Sequence, residues 1–149
     1  MRLFSLAAAI MVVTSFAANA AELITKVSPH SVPITMDRLE SAVTKAGANV
    51  AARVDHAKAA AKVGIELAPN QVLIFGNPKI GSPIFVENPA AGLDLPIRVV
   101  VYSDESGQTL VAYRAPNVLA EEFGVSPQLK SFKMMGGALE KLTNAAIAR

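Results

Sequence analysis

The chain contains no cysteine and no tryptophan, and only 5% of its 149 residues are aromatic. The absence of cysteine excludes a disulfide scaffold, thiolate ligands for zinc or iron-sulfur clusters, a cysteine nucleophile and an acylated lipoprotein. Charge is also scarce, since 14 Lys and Arg stand against 12 Asp and Glu for a net charge of +2. We therefore expect no nucleic-acid partner, although the pI is about 9.0. The 52% of apolar residues excludes disorder, and the length suits one small domain.

The longest apolar run lies at the start of the chain. Met1 and Arg2 precede an almost unbroken run from Leu3 to Phe16, and Ala18-Asn19-Ala20 supplies the small residues that signal peptidase prefers. We interpret residues 1–20 as a cleavable signal peptide with cleavage near Ala20, and residues 21–149 as one periplasmic or secreted domain. The alternative is an uncleaved anchor, but a spanning helix needs roughly 20 apolar residues. The mature sequence has no run of that length.

The rest of the chain alternates between strand and helix patterns. Strands are predicted over residues 23–27, 50–54, 71–75, 96–103 and 108–114, the last two forming a hairpin. Long helices are predicted between Ser31 and Gly47 and from Ser126 onwards, with short ones over 56–63 and 118–123. Sequential strands with few crossover helices form a mostly antiparallel sheet. We predict an α+β fold in the order strand, helix, four strands, helix, with two long helices covering one face of the sheet.

Apolar stripes support both long helices. The first stripe is Val32, Met36, Leu39 and Val43, and the second is Leu129, Phe132, Met135, Leu139, Leu142 and Ala146. Gly136 and Gly137 interrupt the last helix, and each costs about 1 kcal/mol relative to alanine. We therefore expect close packing at these glycines, either on the sheet or on a second subunit.

Residues 76–92 are predicted as a long irregular loop, because three prolines and three glycines follow a buried strand. The loop begins with Gly76, Asn77, Pro78 and Lys79, in which a glycine and a lysine are typical of phosphate-binding loops. A Walker loop places its lysine directly after the second glycine, which this segment does not, so a rigid turn is the better interpretation. A loop of this length is still the first candidate for a binding site.

Asp55 and His56 are the main candidates for chemistry. A carboxylate can orient and charge a histidine for acid-base catalysis, but Asp55 is equally typical of the N-cap of the helix that follows. In a hydrolase or lyase, His56 would be the general base, with Asn77 and Tyr113 as hydrogen-bond donors to developing charge. No serine lies in the Gly-x-Ser-x-Gly motif of a serine hydrolase. The cap and the working pair remain open alternatives.

Metal or haem handling is a further alternative, and it depends on the two histidines. No helical or hairpin spacing brings His30 and His56 together, and two histidines are too few to complete a typical metal site by themselves. We assign no metal ligand, and no cofactor follows from the sequence.

A series of segments spans nearly the whole mature chain in a characteristic order. The segments are Ser28-Pro29-His30-Ser31-Val32, Val54-Asp55-His56, Val63-Gly64, Gln71 to Lys79, Asn88-Pro89, Leu93-Asp94-Leu95-Pro96 and Tyr102 to Tyr113. Together they resemble the DUF302 family, from which Ala48 departs because an aromatic residue usually stands there. The resemblance implies an α+β fold similar to the TATA-binding-protein-like class, and it makes a dimer plausible. It implies no activity, substrate, cofactor or catalytic residue.

These observations favour an exported, non-enzymatic domain that binds a small ligand or a partner, as a homodimer, in a cleft between the sheet and the 76–92 loop. The candidate ligand-binding residues are Asp55, His56, Gly76, Asn77, Pro78, Lys79 and Tyr113. In the enzymatic alternative, Asp55, His56 and Tyr113 would be catalytic.

Overall fold

Residues 23–149 are described by a computed structural model. The predicted signal peptide and its cleavage near Ala20 lie outside these described residues. The strands are β1 (Leu23–Ser28), β2 (Asn49–Asp55), β3 (Asn70–Gly76), β4 (Ile97–Ser103) and β5 (Thr109–Arg114). The helices are α1 (Val32–Lys45), α2 (His56–Ala61), α3 (Pro78–Glu87), α4 (Pro116–Glu122) and α5 (Lys130–Ile147), with a 3-10 helix over Pro89–Leu93.

The five strands form one sheet in the order β1-β5-β4-β3-β2, and each neighbouring pair is antiparallel. The predicted α+β class, order of elements and antiparallel sheet are confirmed. The predicted hairpin between β4 and β5 also forms, because Asp104 Oδ1 accepts hydrogen bonds from the backbone of Ser106 and Gln108. Gly107 completes this turn at a φ of 82°, a conformation that glycine adopts without strain.

Helices α1 and α5 pack together on one face of the sheet. Side chains alternate along β3, so that Leu73 and Phe75 are buried under the helices while Val72 and Ile74 lie half-buried on the opposite face. Both predicted helical stripes lie in or against this core. The two-helix layer predicted from the apolar stripes is therefore present.

The last turn of α5 is capped by side chains from the region of α1. Arg38 donates to the carbonyls of Ala145, Ala146 and Ala148, with its closest contact at 2.8 Å. A ring nitrogen of His30 lies 2.7 Å from the Ala148 carbonyl oxygen. The final carbonyls of a helix have no partner within the helix, so these long-range contacts satisfy them. The contacts also show that α1 and α5 run antiparallel.

The segment after β3 differs from the sequence prediction. Most of residues 76–92 form α3 and the 3-10 helix, so the predicted long irregular loop is wrong. Pro78 and Pro89 each occupy a first helical turn, where the missing proline N–H has no helical partner to lose. Asn77 and Asn88 cap these two helices with their side-chain oxygens. These Asn-Pro pairs are helix starts, which the prediction interpreted as loop signals.

The start of the last helix also differs. The last helix is predicted from Ser126 onwards, but α5 begins at Lys130. The Ser126 hydroxyl instead accepts a 3.3 Å hydrogen bond from the backbone of Gln128, which holds a turn before the helix.

The two helical glycines do not pack closely against the sheet or any other described residue. An added Cβ at Gly136 or Gly137 would meet no atom of the described residues within 4 Å, apart from the neighbouring helix backbone. The expected close contact with the sheet is therefore wrong, and both positions have room for a methyl group.

Gly136→Ala and Gly137→Ala should each raise the free energy of unfolding by about 1 kcal/mol, because alanine is the better helix former and meets no obstacle. Urea denaturation of the two variants measures this change. Gly47→Ala is the matched control, and it should lower stability because Gly47 has a φ of 74°. A loss of stability in either helical variant would contradict the prediction.

Candidate functional site

Asp55 is a helix cap that also belongs to a polar network. Its Oδ1 accepts a 2.8 Å hydrogen bond from the backbone of Lys58, and its Oδ2 accepts a 2.9 Å bond from Gln71 Nε2. The side-chain oxygen Oε1 of Gln71 accepts in turn a hydrogen bond from Arg53 Nη2. The Nη1 atom of Arg53 lies 2.6 Å from Asp37 Oδ1. Desolvation lowers the pKa of Arg53, but its hydrogen bonds and ion pairs with Asp37 and Glu40 together outweigh this effect and raise the pKa. Both carboxylate oxygens of Asp55 are therefore occupied by structural partners.

The proposed acid-base constellation is not assembled. His56 is exposed in the first turn of α2 and forms no hydrogen bond with Asp55 among the described residues. Asn77 lies at the other end of β3 from Asp55, because Asp55 pairs with Gln71 and Asn77 follows Gly76. Five residues of strand span about 17 Å. No single substrate atom could contact both ends of such a strand.

Tyr113 lies in the core instead of a cleft. It is only 3% exposed on β5, two strands away from β3. Burial raises the pKa of its phenol, and this effect exceeds the opposite influence of the nearby Thr143 hydroxyl. A ring held under α5 in this way packs the core, and it does not approach the other candidate residues.

The two histidines lie at opposite edges of the sheet. His30 follows β1 and His56 follows β2, which are the two outer strands. Four strand spacings separate these edges by about 19 Å, too far for both rings to bind one metal ion. Between Leu23 and Arg149, no group of three or more His, Asp or Glu side chains is placed to hold a metal ion.

Gly76, Asn77, Pro78 and Lys79 form the junction between β3 and α3. Asn77 Oδ1 accepts a 3.0 Å hydrogen bond from the backbone of Lys79, and Pro78 is the first residue of the helix. A Cβ at Gly76 would lie 3.2 Å from the Cβ of Pro96, so glycine permits the close approach of the segment before β4. The Leu95–Pro96 peptide bond in that segment is cis.

A cavity of about 350 Å³ opens at this junction. Its walls come from the residues just after α1, the start of β2, the end of β3, one side of α3, residues 95–97 and the middle of α5. Small residues leave the space, namely Ala46, Ala48, Ala51, Gly76, Gly81 and Ala138. Larger apolar side chains such as Phe75, Leu95 and Leu139 complete the walls.

The cavity contains part of the predicted binding site. Gly76, Asn77 and Pro78 line it, whereas Asp55, His56, Lys79 and Tyr113 do not. Sequence reasoning missed Ala48 and Ala138, and it assigned Met135 and Leu139 only to a core stripe. One feature of the sequence could have indicated the cavity: Ala48 is a small residue at a position where the family resemblance leads us to expect an aromatic ring.

A family model matches almost all of the described residues. Residues 24–148 match the family model described as "Domain of unknown function DUF302". The chain therefore belongs to the DUF302 family, as the resemblance of its motifs predicted.

Two curated relatives carry the name "Fluoride-specific ion channel FluC 1". The protein of Brucella suis biovar 1 (strain 1330) is 36% identical over 117 residues, which are 77% of this chain and 46% of the relative. The protein of Brucella abortus biovar 1 (strain 9-941) has the same identity and coverage of this chain, with 43% of the relative covered. The chain thus spans less than half the length of these relatives. Between Leu23 and Arg149, no helix combines the length and apolar character needed to cross a membrane.

A solved structure shares the fold. It is the crystal structure of an uncharacterized conserved DUF302 protein from Bacillus stearothermophilus, with a TM-score of 0.67 and 23% sequence identity. The match covers 84% of this chain and 94% of that protein. At this identity the likeness concerns the fold alone.

Asp55→Ala should lower the free energy of unfolding by about 1 kcal/mol, because it removes a helix cap. His56→Ala should change stability by less than about 0.5 kcal/mol, since His56 is exposed. Thermal or urea denaturation of both variants measures the two effects. Equal losses for the two variants would show that they act as a pair and would contradict the cap assignment.

Proposed function

We propose that the protein is an exported domain that binds a small apolar ligand in the cavity between β3, α3 and α5. The observation that carries this proposal is the lining of the cavity, which is almost entirely apolar and contains no ionisable side chain. The volume of about 350 Å³ falls at the small end of the range for ligand sites, about 300–1,000 Å³.

The apolar surface around the cavity supports the same function. Phe85 lines the cavity and is 37% exposed, and its ring lies against Gly81 and Gly92. An exposed apolar ring beside an apolar cavity favours binding of a ligand that water solvates poorly.

Export is the part of the proposal that concerns residues 1–20. A positive start, an apolar run and Ala18-Asn19-Ala20 support cleavage near Ala20 and release into the periplasm or the medium. The intact mass of the protein recovered after expression from its full sequence tests the cleavage site.

Filling the cavity should abolish ligand binding. Ala138→Phe places a ring in the cavity from α5, whereas Ala145→Phe places the same ring on the exposed side of that helix. We expect the uncharged fluorophore 1-aminoanthracene to bind the wild type, and Ala138→Phe to weaken this binding at least about tenfold, which is about 1.4 kcal/mol. Ala145→Phe should bind like the wild type.

Circular dichroism confirms that both variants fold before binding is compared. Equal binding by the wild type and a folded Ala138→Phe variant would show that the fluorophore binds elsewhere. No binding by the wild type would contradict the proposed function.

A homodimer through the open face of the sheet is the second part of the proposal. Neither long helix covers this face, whose exposed or half-buried apolar side chains are Leu23, Val27, Val54, Val72, Ile74, Val100, Tyr102 and Leu110. Its charged residues Arg98 and Arg114 are paired with Asp94 and Glu122. Five strands about 20 Å long present about 500 Å² per copy, so two stacked copies reach the roughly 1,000 Å² that a specific interface requires.

Val100→Lys should convert the dimer to a monomer, because a lysine at the centre of two stacked sheets would be buried without a partner. Val86→Lys adds the same charge to the exposed surface of α3 and should leave the dimer intact. Light scattering during size-exclusion chromatography measures the masses. A monomeric wild type, or a dimer that survives Val100→Lys, would contradict this interface.

A further inference from the structure

The N-terminus of α3 borders the cavity, but its backbone amides are already engaged. Pro78 has no N–H, Lys79 N donates to Asn77 Oδ1, and Ile80 and Gly81 both donate to the Asn77 carbonyl at 2.9 and 3.0 Å. The first amides of a helix form an anion site only when they are free to point at the ligand. This helix start therefore offers no cradle for a phosphate or a carboxylate.

The side chains that line the cavity also carry no charge. Its polar side chains are Asn49, Asn77 and Ser82, all of them uncharged. A charged group enclosed by such walls would lose its hydration without gaining an opposite charge, which costs far more than burying a neutral polar group. The site therefore discriminates against anions and cations alike.

Asn77 can donate one hydrogen bond to a ligand in the cavity. An Asn side chain has one carbonyl oxygen and one NH₂ group, and the oxygen of Asn77 is used by Lys79. Its Nδ2 donates to no partner among the described residues, and an NH₂ group can only donate. A ligand that presents an acceptor can therefore use this donor.

The geometry points to a ligand class that rests on the function proposed above: an uncharged, compact apolar molecule with one oxygen acceptor, such as a ketone or an ester, whose oxygen accepts a hydrogen bond from Asn77 Nδ2. The apolar body fills the space bounded by Phe75, Leu139 and Ala138. The acceptor lies at the β3–α3 junction.

Three molecules of nearly equal shape test this class. 2-Acetylnaphthalene carries a neutral carbonyl, 2-naphthoate carries a carboxylate, and 2-ethylnaphthalene carries no oxygen. Displacement of 1-aminoanthracene from the full protein measures their affinities at neutral pH. We expect the ketone to bind at least about tenfold more tightly than the carboxylate and about fivefold more tightly than the hydrocarbon, in line with the cost of burying an unpaired charge and the gain from one hydrogen bond.

Asn77→Asp separates the hydrogen bond from the helix cap. Aspartate caps a helix as well as asparagine does, but it replaces the Nδ2 donor with an acceptor. The variant should keep its fold and lose the preference for the ketone over the hydrocarbon. Asn117→Asp makes the same change on the exposed surface of α4 and should keep that preference.

The outcomes separate this inference from the function on which it rests. Binding of all three molecules with equal affinity, or tightest binding of the carboxylate, would overturn the ligand class while leaving a ligand site in the cavity. A ketone preference that survives in a folded Asn77→Asp variant would overturn the role of Asn77. Failure of 1-aminoanthracene to bind the wild type would overturn both proposals. If Asn77→Asp fails to fold, the affinities of the wild type for the three molecules still test the ligand class.

Discussion

The packing of α1 and α5 on one face of the sheet is the contact on which the rest of the structure depends. It buries Met36, Leu39 and Leu139 completely or almost completely, and a core of this kind is the main source of stability in a chain without disulfides. Helix α1 ends at Lys45, and Ala46 and Ala48, which follow it, line the cavity. Residues of α3 and α5 complete the walls, and small residues such as Gly81 and Ala138 leave the space. The position of the cavity therefore coincides with the end of α1.

Much of the fold could be predicted because its signals are local. Period-two alternation marked the strands, Asp104 and Gly107 marked the hairpin turn, and spacings of three and four marked the faces of α1 and α5. The segment after β3 was mispredicted because Asn-Pro has two local meanings. The pair starts a turn in one context and begins a helix in another. Here the helix that follows Asn77-Pro78 buries Ile84 in the core, and this packing favours the helix.

The candidate site was less predictable, because its walls come from six separate parts of the chain. Gly76, Asn77 and Pro78 were identified since they lie together in the sequence, whereas Ala48 and Ala138 have no local feature that marks them as cavity residues. Asp55 shows the opposite case. Its cap role was one of two predicted alternatives, and the position of Gln71 across the sheet, which no local pattern shows, uses its second oxygen.

The capping of α5 by Arg38 and His30 has a consequence for how the domain opens. The last turn of a helix usually frays independently, because its carbonyls bond only to water. Here those carbonyls accept hydrogen bonds from Arg38 in the middle of α1 and contact His30 before it, so the last turn of α5 is tied to α1. These contacts couple the end of α5 to α1, so local opening of the last turn must also break hydrogen bonds to another part of the fold.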